Sequence, residues 1–125
     1  MGTGVSSREQ GAVAFDTLYA NQRHIDVINT VGTYKVFTAP TNMILKEAFL
    51  LNTVAFVGGT NTLTLGVAGT VAKFVADTSF DHTANADPAV ILIDRYVARG
   101  TVVNLYVGGS TTGTGKLWVS WRPLP

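Results

Sequence analysis

The sequence contains no cysteine, which excludes both a disulfide framework and a thiolate metal site. Charge is scarce as well, because Asp, Glu, Lys and Arg make up only 14% of the 125 residues, about half of the usual share. The net charge of +1 gives no basic surface for nucleic acid or for anionic lipid. So little charge fits either a surface covered by neighbouring subunits or a plain neutral surface rich in Thr and Asn.

Long hydrophobic runs and helix-forming residues are also missing. No apolar stretch reaches the roughly 18 residues that span a membrane, and the N-terminus lacks the basic segment and apolar core of a signal peptide. Val and Thr, by contrast, supply 16 and 17 residues, and both are β-branched residues that fit a pleated sheet. The composition therefore predicts an all-β protein with no membrane partner.

Alternating apolar and polar residues, separated by turn residues, predict eight strands. They cover residues 23–30, 33–38, 43–52, 62–67, 71–76, 90–97, 101–107 and 116–122. Eight short strands without a helix between them favour an antiparallel sandwich or barrel, and eight is the strand number of a jelly roll. We therefore predict an eight-stranded antiparallel jelly-roll β-sandwich over residues 23–125, preceded by an N-terminal arm over residues 1–22.

The alternation also assigns side chains to the two faces of each strand. The predicted core faces are Val103, Leu105 and Val107 in the seventh strand and Leu117, Val119 and Trp121 in the eighth. Strand 43–52 is apolar on both sides, and its adjacent Lys46 and Glu47 are expected on opposite faces. One face of this strand is therefore expected to be buried by something beyond the sandwich.

The glycine-rich segment Gly108–Lys116 is similar to a phosphate-binding loop but fails its requirements. A Walker A loop needs Gly at the position of Ser110 and Ser or Thr at the position of Leu117. It also needs a following helix whose N-terminus holds the phosphate, whereas a strand is predicted here. The segment is interpreted as a flexible connector between strands.

Metal binding and catalysis receive little support from the sequence. The loop from Asp77 to Pro88 contains four potential ligands, namely Asp77, Asp81, His82 and Asp87. The spacing and central Gly of a calcium loop are absent, and a polar loop collects acids without binding metal. The only imidazole bases are His24 and His82, and no G-x-S-x-G elbow occurs. We expect no metal, no cofactor and no catalytic residues, and therefore not an enzyme.

Aromatic residues predicted to face outward give the strongest functional signal. Trp118 lies near Lys116 and Arg122, and Tyr106 lies near Asn104, a composition typical of protein interfaces. In the arm, the apolar run from Ala12 to Phe15 also needs a partner, either its own sandwich or a neighbouring subunit. The predicted subunit or capsid contacts are Val13, Phe15, Tyr106 and Trp118. Two alternatives remain open for the aromatic residues: stacking on sugars, and burial against the arm or another strand.

Several runs of the chain together resemble the small jelly-roll structural proteins of tailed bacteriophages. These runs are Gly32–Pro40, Ile44–Phe49, Ala55–Gly59, Thr62–Val67 and the closing strand Gly113–Arg122. The resemblance implies a capsid decoration (cement) protein on the exterior of the virion. Such a protein is a homotrimer that clamps the junctions between major capsid protein subunits, without catalytic residues. The alternative is a tail-associated or lectin-like module on the same fold that binds a carbohydrate or a receptor.

Overall fold

A computed structural model describes residues 21–58, 62–77, 80, 90–109 and 112–125. It contains eight strands: β1 (Gln22–Ile28), β2 (Gly32–Thr38), β3 (Met43–Val57), β4 (Leu63–Val67), β5 (Thr70–Val75), β6 (Val90–Val97), β7 (Val102–Val107) and β8 (Thr112–Pro123). The predicted all-β fold is confirmed, and every strand except the last begins within one residue of its predicted start. Residues 1–20, which make up most of the predicted arm, lie outside the described residues.

The strands form two antiparallel four-stranded sheets. The first sheet has the order β1-β8-β3-β6, and the second has the order β2-β7-β4-β5. Each of the first four strands therefore pairs with one of the last four in reverse order, from β1 with β8 to β4 with β5. A double ribbon wrapped in this way is the jelly roll that the strand count predicts.

The core lies between the two sheets and consists of the side chains that point inward at every second position of the strands. The predicted inward residues of β7 and β8 are all buried, namely Val103, Leu105, Val107, Leu117, Val119 and Trp121. Trp121 in the first sheet stacks on Phe37 in the second, with ring centroids 4.6 Å apart and planes 16° apart. This contact joins the two sheets directly.

A change of register in the middle of β3 corrects one expectation. Leu45 and Ala48 are both buried, although an uninterrupted alternation would place them on opposite faces. The pairing of β3 with β6 and with β8 shifts between Leu45 and Glu47, as in a β-bulge. Lys46 and Glu47 therefore both lie outside the core, and the prediction that they occupy opposite faces was wrong.

The interpretation of Gly108–Lys116 as a flexible connector was wrong for its second half, because β8 begins at Thr112 and pairs there with the end of β3. Glycine is required in this part of the strand by close packing. A Cβ added at Gly113 would lie 2.3 Å from a ring carbon of Phe56, and one at Gly115 would lie 2.7 Å from the carbonyl oxygen of Leu51.

Candidate interaction surfaces

The two outward aromatic residues singled out in the sequence lie on different sheets. Trp118 belongs to β8 in the first sheet, and Tyr106 belongs to β7 in the second. Both are half-buried. Because their sheets form the two sides of the sandwich, the structure does not bring them into one surface. Each must be considered with its own neighbours.

Trp118 is the middle member of an aromatic row that crosses the first sheet. His24 on β1 and Phe49 on β3 are its direct cross-strand partners. The ring centroid of Trp118 lies 4.7 Å from that of Phe49, with 11° between the planes, and 5.9 Å from that of His24, with 29° between the planes. Offset stacks of this kind contribute about 0.5–1.5 kcal/mol per pair beyond the burial of area.

The stacking decides which part of Trp118 is open to a partner. β8 lies between β1 and β3, so His24 covers one face of the indole ring and Phe49 covers the other. Rings stacked across neighbouring strands stand upright on the sheet and direct their edges outward. A sugar that stacks on an aromatic ring needs a free ring face, which Trp118 does not offer. Its edge remains available for contact with another protein.

Next to the aromatic row, β6 carries a cluster of exposed apolar side chains. We call this cluster the β6 patch and define it as Val90, Leu92 and Tyr96, which are 59%, 75% and 55% exposed. Val90 lies opposite Phe49, and Tyr96 lies opposite Ile44, so the patch shares the outer face of the first sheet with the aromatic row. Several exposed apolar side chains on one strand make it a candidate interaction site.

Two ion pairs lie on the same outer face. Lys116 donates to Asp26 at 2.8 Å, and Lys46 donates to Asp94 at 2.6 Å. The hydrogen bond from Lys116, together with its positive charge, holds the pKa of the Asp26 carboxyl below its ordinary value. Because both pairs are exposed, they add little to stability. Their effect is to neutralise four of the charged side chains on this face.

The outer side of the second sheet has a different character. Tyr106 receives a hydrogen bond from the Asn104 amide at 3.2 Å and borders an open groove of about 500 Å³. Threonine hydroxyls and the side chains of Val71 and Asp77 line much of this groove. The Asp77 carboxylate accepts a hydrogen bond from the Leu63 backbone at 2.7 Å. This groove is broad and open, and its lining combines threonines with exposed valines such as Val31 and Val71, whereas the outer face of the first sheet carries the aromatic row.

Neither a small-molecule pocket nor a metal cluster stands out on the first sheet. A pocket between Glu47, Phe49, Trp118 and Ser120 holds about 80 Å³, well below the roughly 300–1,000 Å³ of ordinary ligand sites. Within the described ranges, no group of three His, Asp or Glu side chains could hold a metal ion. Asp81, His82 and Asp87 of the predicted acidic loop lie outside the described residues. Among the residues the structure describes, no helix is long and apolar enough to cross a membrane.

Sequence reasoning missed the β6 patch, and the predicted arm contacts remain untested. Val13 and Phe15 lie outside the described residues, so the structure does not place them. The available signal was the run Val90–Ile93, which is apolar on both faces like β3 beside it. On the outer side of β3, Phe49 and Ile44 are half-buried by their own sheet, so burial of this face by something beyond the sandwich stays a prediction. The strand that pairs with β3 at this edge of the sheet could not be identified from the sequence.

Comparisons with known proteins identify a similar fold but do not assign the chain to a family. No family model matches the chain, and no curated protein matches it. Among solved structures, the chain is similar to a chain of the cyanophage Pam1 capsid asymmetric unit, with a TM-score of 0.59 and 16% sequence identity. The match covers 83% of each chain, so the two chains are nearly equal in length and share the fold over most of it.

Proposed function

We propose that this protein is a bacteriophage capsid decoration protein. It forms a homotrimer on the exterior of the virion and stabilises the head by bridging major capsid protein subunits. The observation that carries the proposal is the outer face of the first sheet, where the aromatic row and the β6 patch expose apolar surface beside two ion pairs. The shared fold with a chain of a phage capsid asymmetric unit supports it.

The proposed role follows from the physics of repeated contacts. Burying apolar side chains such as Leu92 and Tyr96 contributes about 25 cal/mol per Å². A single small contact therefore gives only weak binding. On a symmetric shell the same contact recurs many times, and a trimer engages several shell subunits together. Many weak, identical contacts together therefore hold a stable coat of this protein on the shell. No catalytic residue, metal or cofactor is needed for this role.

The trimer is tested by the mass of the protein in solution. Light scattering at high micromolar concentration is expected to give three times the 13.3 kDa of one chain. Leu92→Asp is expected to reduce the mass to that of a monomer, because a carboxylate in an apolar interface loses its hydration without gaining a partner. Purified trimer is also expected to co-sediment with empty heads of its own phage.

Val71→Asp serves as the matched control. Like Leu92, Val71 is an exposed apolar residue on an edge strand, but its strand β5 belongs to the second sheet. We expect the Val71→Asp variant to keep the mass of the wild type. A wild-type protein that stays monomeric at this concentration and does not bind heads would refute the proposal.

A second candidate function is supported by the groove beside Tyr106. Its volume of about 500 Å³ lies within the range of small-molecule sites, and its threonine hydroxyls could hydrogen-bond a sugar. A tail-associated or lectin-like module that binds a carbohydrate or receptor would use this groove rather than Trp118, whose ring faces are taken.

Glycan-array binding distinguishes the two functions. The carbohydrate-binding function predicts glycan binding that Tyr106→Ala abolishes, that Trp118→Ala retains, and that persists in a protein without affinity for heads. The decoration function predicts no signal above background on the array for either variant or for the wild type.

A further inference from the structure

Glu47 differs from the other carboxylates on the outer face of the first sheet because it has no cationic partner among the described residues. Asp26 and Asp94 each form an ion pair with a lysine. Glu47 only accepts a long hydrogen bond, 3.4 Å, from the Ser120 hydroxyl, although its side chain is partly buried. A carboxylate offers about four acceptor positions, so most of the hydrogen-bonding capacity of Glu47 is left for water or for a partner.

Glu47 also lines a small pocket. Ser120 lies opposite it on β8, and the next pair of residues along these two strands, Phe49 and Trp118, forms the aromatic side of the same pocket. The volume of about 80 Å³ has room for a few water molecules, and therefore for the charged end of one long side chain. The pocket combines a carboxylate with an aromatic wall, which suits the charged head and the apolar stem of a lysine or an arginine.

The pocket adjoins the β6 patch, because Glu47 lies directly opposite Leu92 on β6. A partner that covers Leu92 therefore also removes water from Glu47. Such a loss of water is unfavourable for a carboxylate unless the covering surface supplies a positive charge and hydrogen-bond donors. A partner of the β6 patch thus needs a basic side chain at this point.

We propose that a lysine or arginine side chain of a neighbouring copy of this chain enters the pocket and pairs with Glu47. The inference rests on the proposed trimer, in which the β6 patch is a subunit contact, and it adds the polar part of that contact. The chain itself carries the complementary charge. Six exposed cationic side chains form no ion pair with a described carboxylate, namely Arg23, Lys35, Lys73, Arg95, Arg99 and Arg122.

Within one chain these cations leave the pocket open. Arg122 lies on the same face, opposite Ile44 and two positions after Ser120, but it forms no ion pair with Glu47 and is exposed. Lys35 and Lys73 belong to the second sheet, on the other side of the sandwich. A closed ring of three copies brings different surfaces of neighbouring copies together, so it can deliver a basic side chain to each of the three pockets.

Removing the charge of Glu47 tests the contact. We expect Glu47→Gln, which keeps the size of the side chain, to weaken association of the trimer about tenfold or more. Glu47→Lys is expected to leave only monomers of 13.3 kDa. Light scattering over a dilution series measures both. Asp26→Asn is the matched control, because it removes an exposed carboxylate of the same face that is already paired with a lysine, and it is expected to associate like the wild type.

A second substitution identifies the side chain that enters the pocket. In the Glu47→Lys background, changing one of the six unpaired cations to Glu is expected to restore the trimer, because the ion pair is rebuilt with opposite polarity. If none of the six reversals restores it, pairing with a neighbouring copy is refuted. Pairing within one chain is tested with Arg122→Gln: a loss of stability equal to that of Glu47→Gln, with the trimer mass unchanged in both, would also refute the proposal.

The remaining outcomes separate the contact from the trimer. A trimer that persists in Glu47→Gln and Glu47→Lys overturns the contact alone, whereas a monomeric wild type overturns the trimer and the contact together. A Glu47→Gln trimer that no longer binds heads assigns the basic side chain to the shell subunit instead of a neighbouring copy. An equal weakening by Asp26→Asn shows a general effect of charge on this face and contradicts a specific contact in the pocket.

Discussion

Replacing Trp121 by alanine is expected to lower the free energy of unfolding by about 3–5 kcal/mol. Trp121 is only 6% exposed and stacks on Phe37 across the space between the sheets. The substitution removes a large buried side chain and leaves a cavity that strands held in two sheets cannot close by collapse. Urea denaturation followed by far-UV circular dichroism measures the change.

Trp118→Ala is the matched control, since the residue type and the strand are the same. Trp118 lies three positions away, on the outer face, half-buried between His24 and Phe49. Its loss removes two ring stacks, each worth about 0.5–1.5 kcal/mol, without opening a cavity in the core. We expect the cost to the isolated domain to be about 1–3 kcal/mol, smaller than that for Trp121→Ala.

Assembly must be separated from folding in this comparison. The apparent stability of an oligomer depends on protein concentration, so both variants are compared with the wild type at two concentrations tenfold apart. The loss of stability in the Trp121→Ala variant is expected at both concentrations. An equal loss for the two tryptophan variants at the lower concentration would show that the faces of β8 have been assigned wrongly.

The strand spans could be predicted because they depend on local signals. Period-two alternation locates the strands, and turn residues such as Arg99-Gly100 separate them. The count of eight then favours the jelly roll, in which β1 pairs with β8 and β2 with β7. The low content of helix-forming residues points to the same fold.

The composition of the outer face could not be predicted, because it depends on partners that are distant in sequence. His24 stacks on Trp118, 94 positions later in the chain, and the β6 patch adjoins Phe49 only through the pairing of β3 with β6. Trp118 was correctly predicted to face outward. Its upright orientation between two rings follows from the strand order, which local alternation does not specify.

The start of β8 was missed for a related reason. Gly113 and Gly115 are turn residues by local criteria, but in the structure they are strand residues whose missing side chains make room for Phe56 and for the backbone at Leu51. The need for glycine comes from β3, about 60 residues earlier in the chain. In the sequence alone, a glycine that forms a turn looks the same as a glycine that close packing requires.

Gly113→Ala is therefore expected to destabilise the fold by about 3 kcal/mol or more, a sum of backbone strain and overpacking. The φ of Gly113 is 148°, a value that alanine rarely adopts. The added Cβ would also meet three carbons of the Phe56 ring at 2.3–2.8 Å. That ring is buried in the core and cannot move aside without displacing its neighbours. Urea midpoints at constant m-value measure the effect.

Gly69→Ala isolates the contribution of the backbone. Gly69 also has a positive φ, 85°, but nothing lies within 4 Å of a Cβ added there. Its replacement is expected to cost about 1–2 kcal/mol, so the excess at Gly113 measures the contact with Phe56. A flexible connector at residues 108–116 predicts the opposite sign, because alanine in place of glycine then stabilises by about 0.4–1 kcal/mol through the unfolded chain. A neutral or stabilising effect of Gly113→Ala would support the flexible connector and would contradict the assignment of the first residues of β8 to the sheet.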